Sequence, residues 1–355
     1  MSNRASVTRK RTRSRTVTPT VQPELPRSHE FGVLKSELRH SRFRRFDSSF
    51  AIVRTTPAGT THIIRAVAGD AHGDSSIKRL IAHRGASAYA PEHTLAAYRL
   101  AMEHGADYVE QDLAVTRDGV LICLHDDTLE RTSNVAEIYP QRFTEESGGS
   151  GRRWIANDFT LAEIRSLDAG RWFGPPFAGQ HIVTWQEAID LVRGKAGLYP
   201  ELKSPPLYVG RGVDMVNIFV ESVLSNGLHR PESLRTTPMI VQSFDEPTVR
   251  RLAAELPTVP RLQLMDSLPG EGLAEARLRE IARFATGIGP AKDLIDLEPA
   301  IVTRAHQAGL TVTAYTFRAR SPGRFASVRE EMWHFLYTLG IDALFTDNPD
   351  QFPRR

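Results

Sequence analysis

A chain of 355 residues is long enough for one large domain with an accessory segment and short for three domains. Hydrophobic residues at 41% and charged residues at 25% are the proportions of a globular protein, and no run of about 18 apolar residues supplies a membrane-spanning helix. The net charge of +3 speaks only weakly for a polyanionic partner, and the single cysteine, Cys123, excludes an internal disulfide framework and any Cys-x-x-Cys zinc or redox site.

The charge is unevenly spread. Residues 1–50 hold 12 Lys/Arg against 4 Asp/Glu, while the other 305 hold 33 against 38, so the body is acidic and the basicity belongs to one end. Residues 1–45 are rich in Arg, Ser, Thr and Pro, with little to bury, and are read as a basic, disordered leader. Its densest run, Arg9-Lys10-Arg11-Thr12-Arg13-Ser14-Arg15, is read as a solvated tail, since no aromatics interleave it, with an RNA- or membrane-touching tail as the alternative. It lacks the apolar stretch of about 7–15 residues that a secretory signal requires, so the expected compartment is the cytoplasm, with a periplasmic or secreted location if the leader is atypical. Within an extension over 46–78, Phe50-Ala51-Ile52-Val53 and His62-Ile63-Ile64-Arg65-Ala66-Val67 flank Pro57-Ala58-Gly59 and predict a β-hairpin.

From Arg79 to the end, short β-type runs alternate with helix-type runs, the rhythm of a parallel α/β domain. Strands are predicted at 79–83, 107–115, 120–125, 197–203, 238–243, 260–265, 285–289, 310–316 and 341–346. Helices are predicted at 94–104, 185–193, 212–226, 246–256, 271–284, 297–308 and 325–339. Thr160-x-x-Glu163 and Thr184-x-x-Glu187 read as capping boxes. Nine strands exceed an eight-stranded barrel by one. Asp118-Gly119 reads as a two-residue hairpin turn that folds 120–125 back antiparallel on 107–115, leaving eight strands for a (βα)8 barrel. A doubly wound open sheet is the alternative, but no dinucleotide or P-loop fingerprint supports it. Residues 127–183, with Gly148-Gly149-Ser150-Gly151 and several aromatics, interrupt the rhythm and are expected to form a cap over the catalytic face.

Three clusters place ionisable residues at C-terminal strand ends, where such barrels keep their active sites. They are His83-Arg84-Gly85 with Pro91-Glu92-His93-Thr94 close behind, Glu110-Gln111-Asp112, and Glu201-Leu202-Lys203. Strand side chains alternate, so Glu110 and Asp112 emerge on one face about 7 Å apart, close enough to grip a hard divalent cation. With the turn centred on Asp118-Gly119, opposed residue numbers sum to 237, which pairs Asp112 with His125 and sets His125 on the same face. Singly, each residue has a simpler explanation: Glu-x-Asp on a solvated face, His125 opening a turn, His83 bonded to backbone, Lys203 paired with Glu201. Their convergence on one rim favours a site. Carboxylates without cysteine suit Mg²⁺ or Ca²⁺, Arg84 and Lys203 supply charge for an anionic oxygen, and two histidines can act as general base and acid. Together these describe metal-assisted phosphodiester cleavage.

Ile81-Ala82-His83-Arg84-Gly85-Ala86, Pro91-Glu92-His93-Thr94, Glu110-Gln111-Asp112-Leu113, Leu124-His125-Asp126 and Pro200-Glu201-Leu202-Lys203 together resemble the glycerophosphodiester phosphodiesterase family, in particular its larger, calcium-using periplasmic type. The resemblance continues through Gln242-Ser243-Phe244-Asp245, Gly287-Ile288-Gly289-Pro290, Ala314-Tyr315-Thr316 and Leu344-Phe345-Thr346-Asp347-Asn348-Pro349, and so covers nearly all of 79–355. It implies a TIM barrel of the phospholipase-C-like phosphodiesterase type with an inserted cap. It also implies hydrolysis of glycerophosphodiesters, such as glycerophosphocholine or glycerophosphoethanolamine, to sn-glycerol 3-phosphate and an alcohol. By the family pattern Glu110, Asp112 and Glu201 hold one divalent cation, Ca²⁺ or Mg²⁺, and His83 and His125 form the acid/base pair. Arg84 and Lys203 contact phosphate, Glu92 is a pocket or supporting residue, and Tyr315 stands where many members have Trp. In this family the glycerol hydroxyl of the substrate attacks phosphorus, giving a cyclic phosphate that water opens. His93 replaces the Asn of many members, as in the periplasmic type, whereas the absent signal peptide departs from that type.

The expected partner is therefore a small-molecule glycerophosphodiester, with no nucleic acid and no integral membrane segment; the oligomeric state is open. Two other functions fit the same barrel: a phospholipase D-like enzyme acting on lipid head groups, and a non-catalytic phosphodiester-binding protein. Glu201-x-Lys203 and the full-length match speak against the first, and the complete set of carboxylates and histidines against the second.

Overall fold

A computed structural model describes residues 51–55, 61–65, 77–145, 151–268 and 273–355. The basic leader, the turn Pro57-Ala58-Gly59 and most of the Gly148–Gly151 run lie outside the described residues. Strands β1 (Ala51–Thr55) and β2 (Thr61–Arg65) pair antiparallel with Ala51 opposite Arg65 and Thr55 opposite Thr61. They belong to a different unit from the barrel, the division falling after Gly69.

In chain order the second unit contains β3 (Arg79–Ala82), β4 (Tyr108–Val115), β5 (Leu121–Cys123), β6 (Thr144–Glu145), β7 (Arg152–Arg153) and β8 (Gly197–Leu202). It continues with β9 (Val241–Ser243), β10 (Arg261–Met265), β11 (Gly287–Pro290), β12 (Thr311–Phe317) and β13 (Ala343–Thr346). Strands β3, β4 and β8 to β13 pair in parallel around a closed ring in that order, with β13 joined back to β3 and β3 to β4. This is the eight-stranded barrel expected. Its strands read as continuous apolar runs because both faces are covered: Leu80, Ile81 and Ala82 are wholly buried, as is nearly every residue from Val109 to Val115. Helices such as Leu95–Glu103, Trp185–Val192 and Met215–Ser225 pack outside. Inside, Ile81, Tyr199, Leu262, Ala343 and Phe345 form a separate core, in which the Tyr199 ring meets Tyr108 and Phe345 edge-on at 5.5 and 5.0 Å. The barrel is filled, so ligands must bind at its mouth. Among the described residues no helix is long and apolar enough to cross a membrane.

The ninth strand has a structural purpose. β3 is four residues long and pairs with β4 only at Tyr108 and Val109, which leaves the upper edge of the eight-residue β4 open. β5 covers that edge antiparallel over Leu113 to Val115. The register differs by one from the expected one: Leu113 faces Cys123 and Val115 faces Leu121, a sum of 236, so Leu124 rather than His125 lies opposite Asp112. The cause is the turn. Thr116 bonds Val120 across a three-residue loop, Arg117-Asp118-Gly119, with Gly119 at φ +79°. Such a loop ends in a left-handed residue, and glycine adopts that conformation without steric penalty.

The described residues of 127–183 are largely irregular, with short helical turns at Val135–Ile138, Ala156–Asp158, Leu161–Ile164 and Pro175–Phe177 and the small pair β6–β7. Both expected capping boxes are present, at Thr160/Glu163 and Thr184/Glu187. Thr184 Oγ1 accepts from the Glu187 amide at 3.2 Å and Glu187 Oε2 accepts from the Thr184 amide at 2.8 Å, which fixes the start of the helix that packs behind β4 and β5. Thr184→Ala is expected to lower stability by about 1 kcal/mol. An unchanged urea midpoint would show that the cap contributes nothing here.

Candidate active site

Asp112 on β4 lies beside Glu201 on β8, which in turn lies beside Gln242 on β9, so three neighbouring parallel strands deliver one row of polar side chains to the barrel mouth. Glu110 lies two residues earlier on β4 and so projects from the same face. One carboxylate oxygen from each of Glu110, Asp112 and Glu201 falls within 4.8 Å of the others, and all three residues are buried. Burial and the mutual repulsion of the carboxylates push Glu110 well above the ordinary carboxylate range and Glu201 up to about 8. Burial would raise Asp112 as well, but Lys203, a hydrogen bond from His93 and Arg84 outweigh it and hold Asp112 well below that range.

The loop after β3 closes around this cluster. Arg84 adopts φ +58°, a left-handed conformation uncommon for a side chain of its size, and its amide donates to Glu110 at 2.9 Å. Gly85 follows at φ +86°, where a Cβ would stand 2.7 Å from the Ala97 carbonyl carbon, so only glycine fits. The Arg84 guanidinium lies 3.3 Å from Asp112 and donates to Glu92 at 2.9 Å. Lys203 Nζ is 3.0 Å from Glu201. His93 is buried, 2.9 Å from both Asp112 Oδ2 and the Tyr98 hydroxyl, and so orients the carboxylate from behind. His83 Nδ1 lies 2.6 Å from Asp347 Oδ1. Burial and the charge of Arg84 bring His83 down to about 4. Burial alone would raise Asp347, but His83 and Arg318 hold it at about 2.

His83, Arg84, Glu110, Asp112, His125, Glu201, Lys203 and Tyr315 all border one cavity of about 440 Å³. Glu92 does not border it. It stands behind Arg84 and takes two bonds from Arg131 at 2.8 and 2.9 Å; burial would raise it, yet Arg131 and Arg84 hold it at about 2. His125 reaches the cavity from the loop beyond β5, because that strand ends at Cys123. Its Nδ1 lies 2.6 Å from Asp126, which also accepts from Arg131. Asp126 and Asp347 stand in the runs that carry the resemblance but have no role assigned from sequence, and Arg131 and Arg318 have none either. Asp347 directly follows β13, and a carboxylate at that strand end was the available signal. Arg131 lies in the irregular insertion, where nothing local marks it.

The insertion borders a second cavity, of about 470 Å³, rather than covering the first. Arg131, Trp172 and Phe173 line it, and it shares His83, Arg84 and Arg318 with the acidic cavity.

The donor set suits a hard divalent cation. It consists of three buried carboxylates and no sulfur, and Asp112 Oδ1 has no hydrogen-bond partner, nor does the neighbouring Gln242 Oε1. A cation at the carboxylates would relieve the repulsion that pushes Glu110 and Glu201 upward.

Residues 83–351 match the model of the glycerophosphoryl diester phosphodiesterase family. A glycerophosphodiester phosphodiesterase of Bacillus subtilis is 32% identical over 280 residues, covering 77% of this chain and 84% of the relative. One from Haemophilus influenzae is 29% identical over 334 residues, covering 78% and 88%. Among solved structures, an Oleispira antarctica phosphodiesterase in complex with the product sn-glycerol 3-phosphate superposes with a TM-score of 0.60 at 26% identity, covering 78% of this chain and 96% of the other. With a complete barrel, a buried acidic cluster at its mouth and a match over three quarters of its length, the chain belongs to the glycerophosphoryl diester phosphodiesterase family and is an enzyme of that class.

Proposed function

We propose that the protein hydrolyses glycerophosphodiesters, the class that includes glycerophosphocholine and glycerophosphoethanolamine, to sn-glycerol 3-phosphate and an alcohol in a reaction dependent on one divalent cation, Ca²⁺ or Mg²⁺. The observation that carries this reading is the juxtaposition, in one cavity, of three buried carboxylates, two histidines and two cationic side chains. The product held by the Oleispira antarctica phosphodiesterase supports the same product here.

Glu110, Asp112 and Glu201 would hold the cation, which supplies positive charge against the oxygens of the phosphodiester. Arg84 and Lys203 add to that charge and orient the phosphoryl group; Tyr315 borders the same space. The glycerol 2-hydroxyl attacks phosphorus and its proton passes to one histidine, while the other histidine gives a proton to the departing alcohol oxygen as the P–O bond breaks. Water then opens the cyclic phosphate with the two roles exchanged. Asp347 and Asp126 each fix one imidazole through its Nδ1, leaving Nε2 for the proton transfers.

The direct test is release of glycerol 3-phosphate from a panel of glycerophosphodiesters with and without a chelator. Turnover that survives the chelator would sink metal dependence. Glu110→Ala, Asp112→Ala or Glu201→Ala should each abolish turnover and tight divalent binding. His125→Ala should lower kcat by about 10²-fold or more while binding the cation nearly as well; parental turnover in that variant would remove His125 from the chemistry. Because Glu201 without metal titrates at about 8, it must lose its proton to act as a ligand. Affinity of the metal-free protein for Ca²⁺ should therefore rise between pH 6 and pH 8, with proton release visible by calorimetry in buffers of different ionisation enthalpy. A flat affinity between pH 6 and 8 would contradict this.

A further inference from the structure

The two cavities meet at His83, Arg84 and Arg318, which border both, whereas His125 and the three carboxylates border only the first. A phosphodiester has two ester arms, and with phosphorus beside Arg84, where the two cavities meet, one arm can enter each. The acidic cavity has an apolar wall that includes Phe244, Leu264 and Phe345, suited to a short carbon chain. That leaves the second cavity for the other arm.

The chemistry of the second cavity restricts what that arm can be. Four arginines border it, Arg84, Arg131, Arg318 and Arg320, against two carboxylates, Glu92 and Asp347. Neither carboxylate is available to a ligand. Glu92 is held by Arg84 and Arg131, and Asp347 by His83 and by Arg318 at 2.9 Å. Arg320, by contrast, is exposed and makes no ion pair or hydrogen bond among the described residues. The site therefore offers spare donors and no spare anionic acceptor. Trp172 and Tyr89, 42% and 38% exposed, add aromatic surface at its edge. The Tyr89 hydroxyl is fixed by Asp350 at 2.7 Å and Asn348 at 2.9 Å, so this wall is preformed.

We propose that the second cavity receives the leaving alcohol and selects a polyol, such as glycerol or inositol, over a quaternary ammonium alcohol such as choline. Hydroxyl oxygens accept from the guanidinium groups while the carbon skeleton lies against the indole of Trp172. A trimethylammonium group would also find aromatic rings there, but it would meet excess positive charge with no free carboxylate to offset it.

This inference rests on the hydrolytic reading above, and the experiment separates the two. With saturating Ca²⁺, glycerol 3-phosphate release is compared for glycerophosphoglycerol, glycerophosphoinositol and glycerophosphocholine. The two polyol esters should exceed the choline ester in kcat/KM by about tenfold or more, the effect of roughly one lost charge interaction. Arg320→Glu, at an exposed position that should not disturb folding, should move the ratio toward choline by a similar factor. Comparable or better turnover of the choline ester, above all if Trp172→Ala then removes it, would show that the aromatic rings dominate and would overturn the polyol assignment while leaving the hydrolytic reading intact. An Arg320→Glu variant with an unchanged ratio would overturn it equally. Failure to release glycerol 3-phosphate from any of the three would overturn both.

Discussion

Three carboxylates buried within 4.8 Å of one another are the costly feature around which the barrel mouth is arranged. Isolated, they would repel strongly in surroundings that screen poorly. Almost every polar residue nearby answers that repulsion. Arg84 gives its amide to Glu110 and its charge to Asp112, Lys203 neutralises Glu201, and His93 and Gln242 donate to what remains. The left-handed backbone at Arg84 follows from the same requirement, since that conformation accompanies an amide aimed at Glu110 and a side chain aimed at Asp112. A cation is the one further charge that the arrangement still lacks.

The rigidity of the site has its origin in strand register. Asp112, Glu201 and Gln242 are neighbours because β4, β8 and β9 are neighbours, and a packed interior of tyrosines and Phe345 beneath them prevents the row from sinking into the barrel. β5 contributes indirectly, by covering the edge of β4 that the short β3 leaves open. The same hairpin sends the chain onward to His125, so closure of the sheet edge and delivery of a histidine are achieved by one excursion.

How much of this was legible in the sequence varies by the range of the interaction. The strands declared themselves as apolar runs, and the acidic pair on β4 was readable from alternation alone. The hairpin was readable too, but its register was not. Asp118-Gly119 suits both a two-residue turn and the last two positions of a three-residue loop, and the choice shifts every opposed pair by one. His125 was thus placed in the right cavity by a wrong register, and it arrives there from a loop instead of a strand. Of the described residues of the segment expected to form the cap, Arg131, Trp172 and Phe173 border the neighbouring cavity and none borders the acidic one. Arg131 shows why the rest was illegible: its partner Glu92 lies 39 residues away in another loop, and only the folded chain brings the two together.

Those contacts join into one line of alternating charge, from Asp112 through Arg84, Glu92, Arg131 and Asp126 to His125. Each inner member serves two neighbours, so replacing one alone leaves the line with an unbalanced charge, whereas exchanging adjacent members for a neutral pair keeps it balanced. Divergence within this lineage should accordingly proceed by paired substitutions along the line. The inserted segment is tied in not only through Arg131 but through Asn157, which donates to the Val115 and Thr116 carbonyls, and through buried Trp154, Phe159 and Ile164, and its loss would leave Glu92 with a single cation.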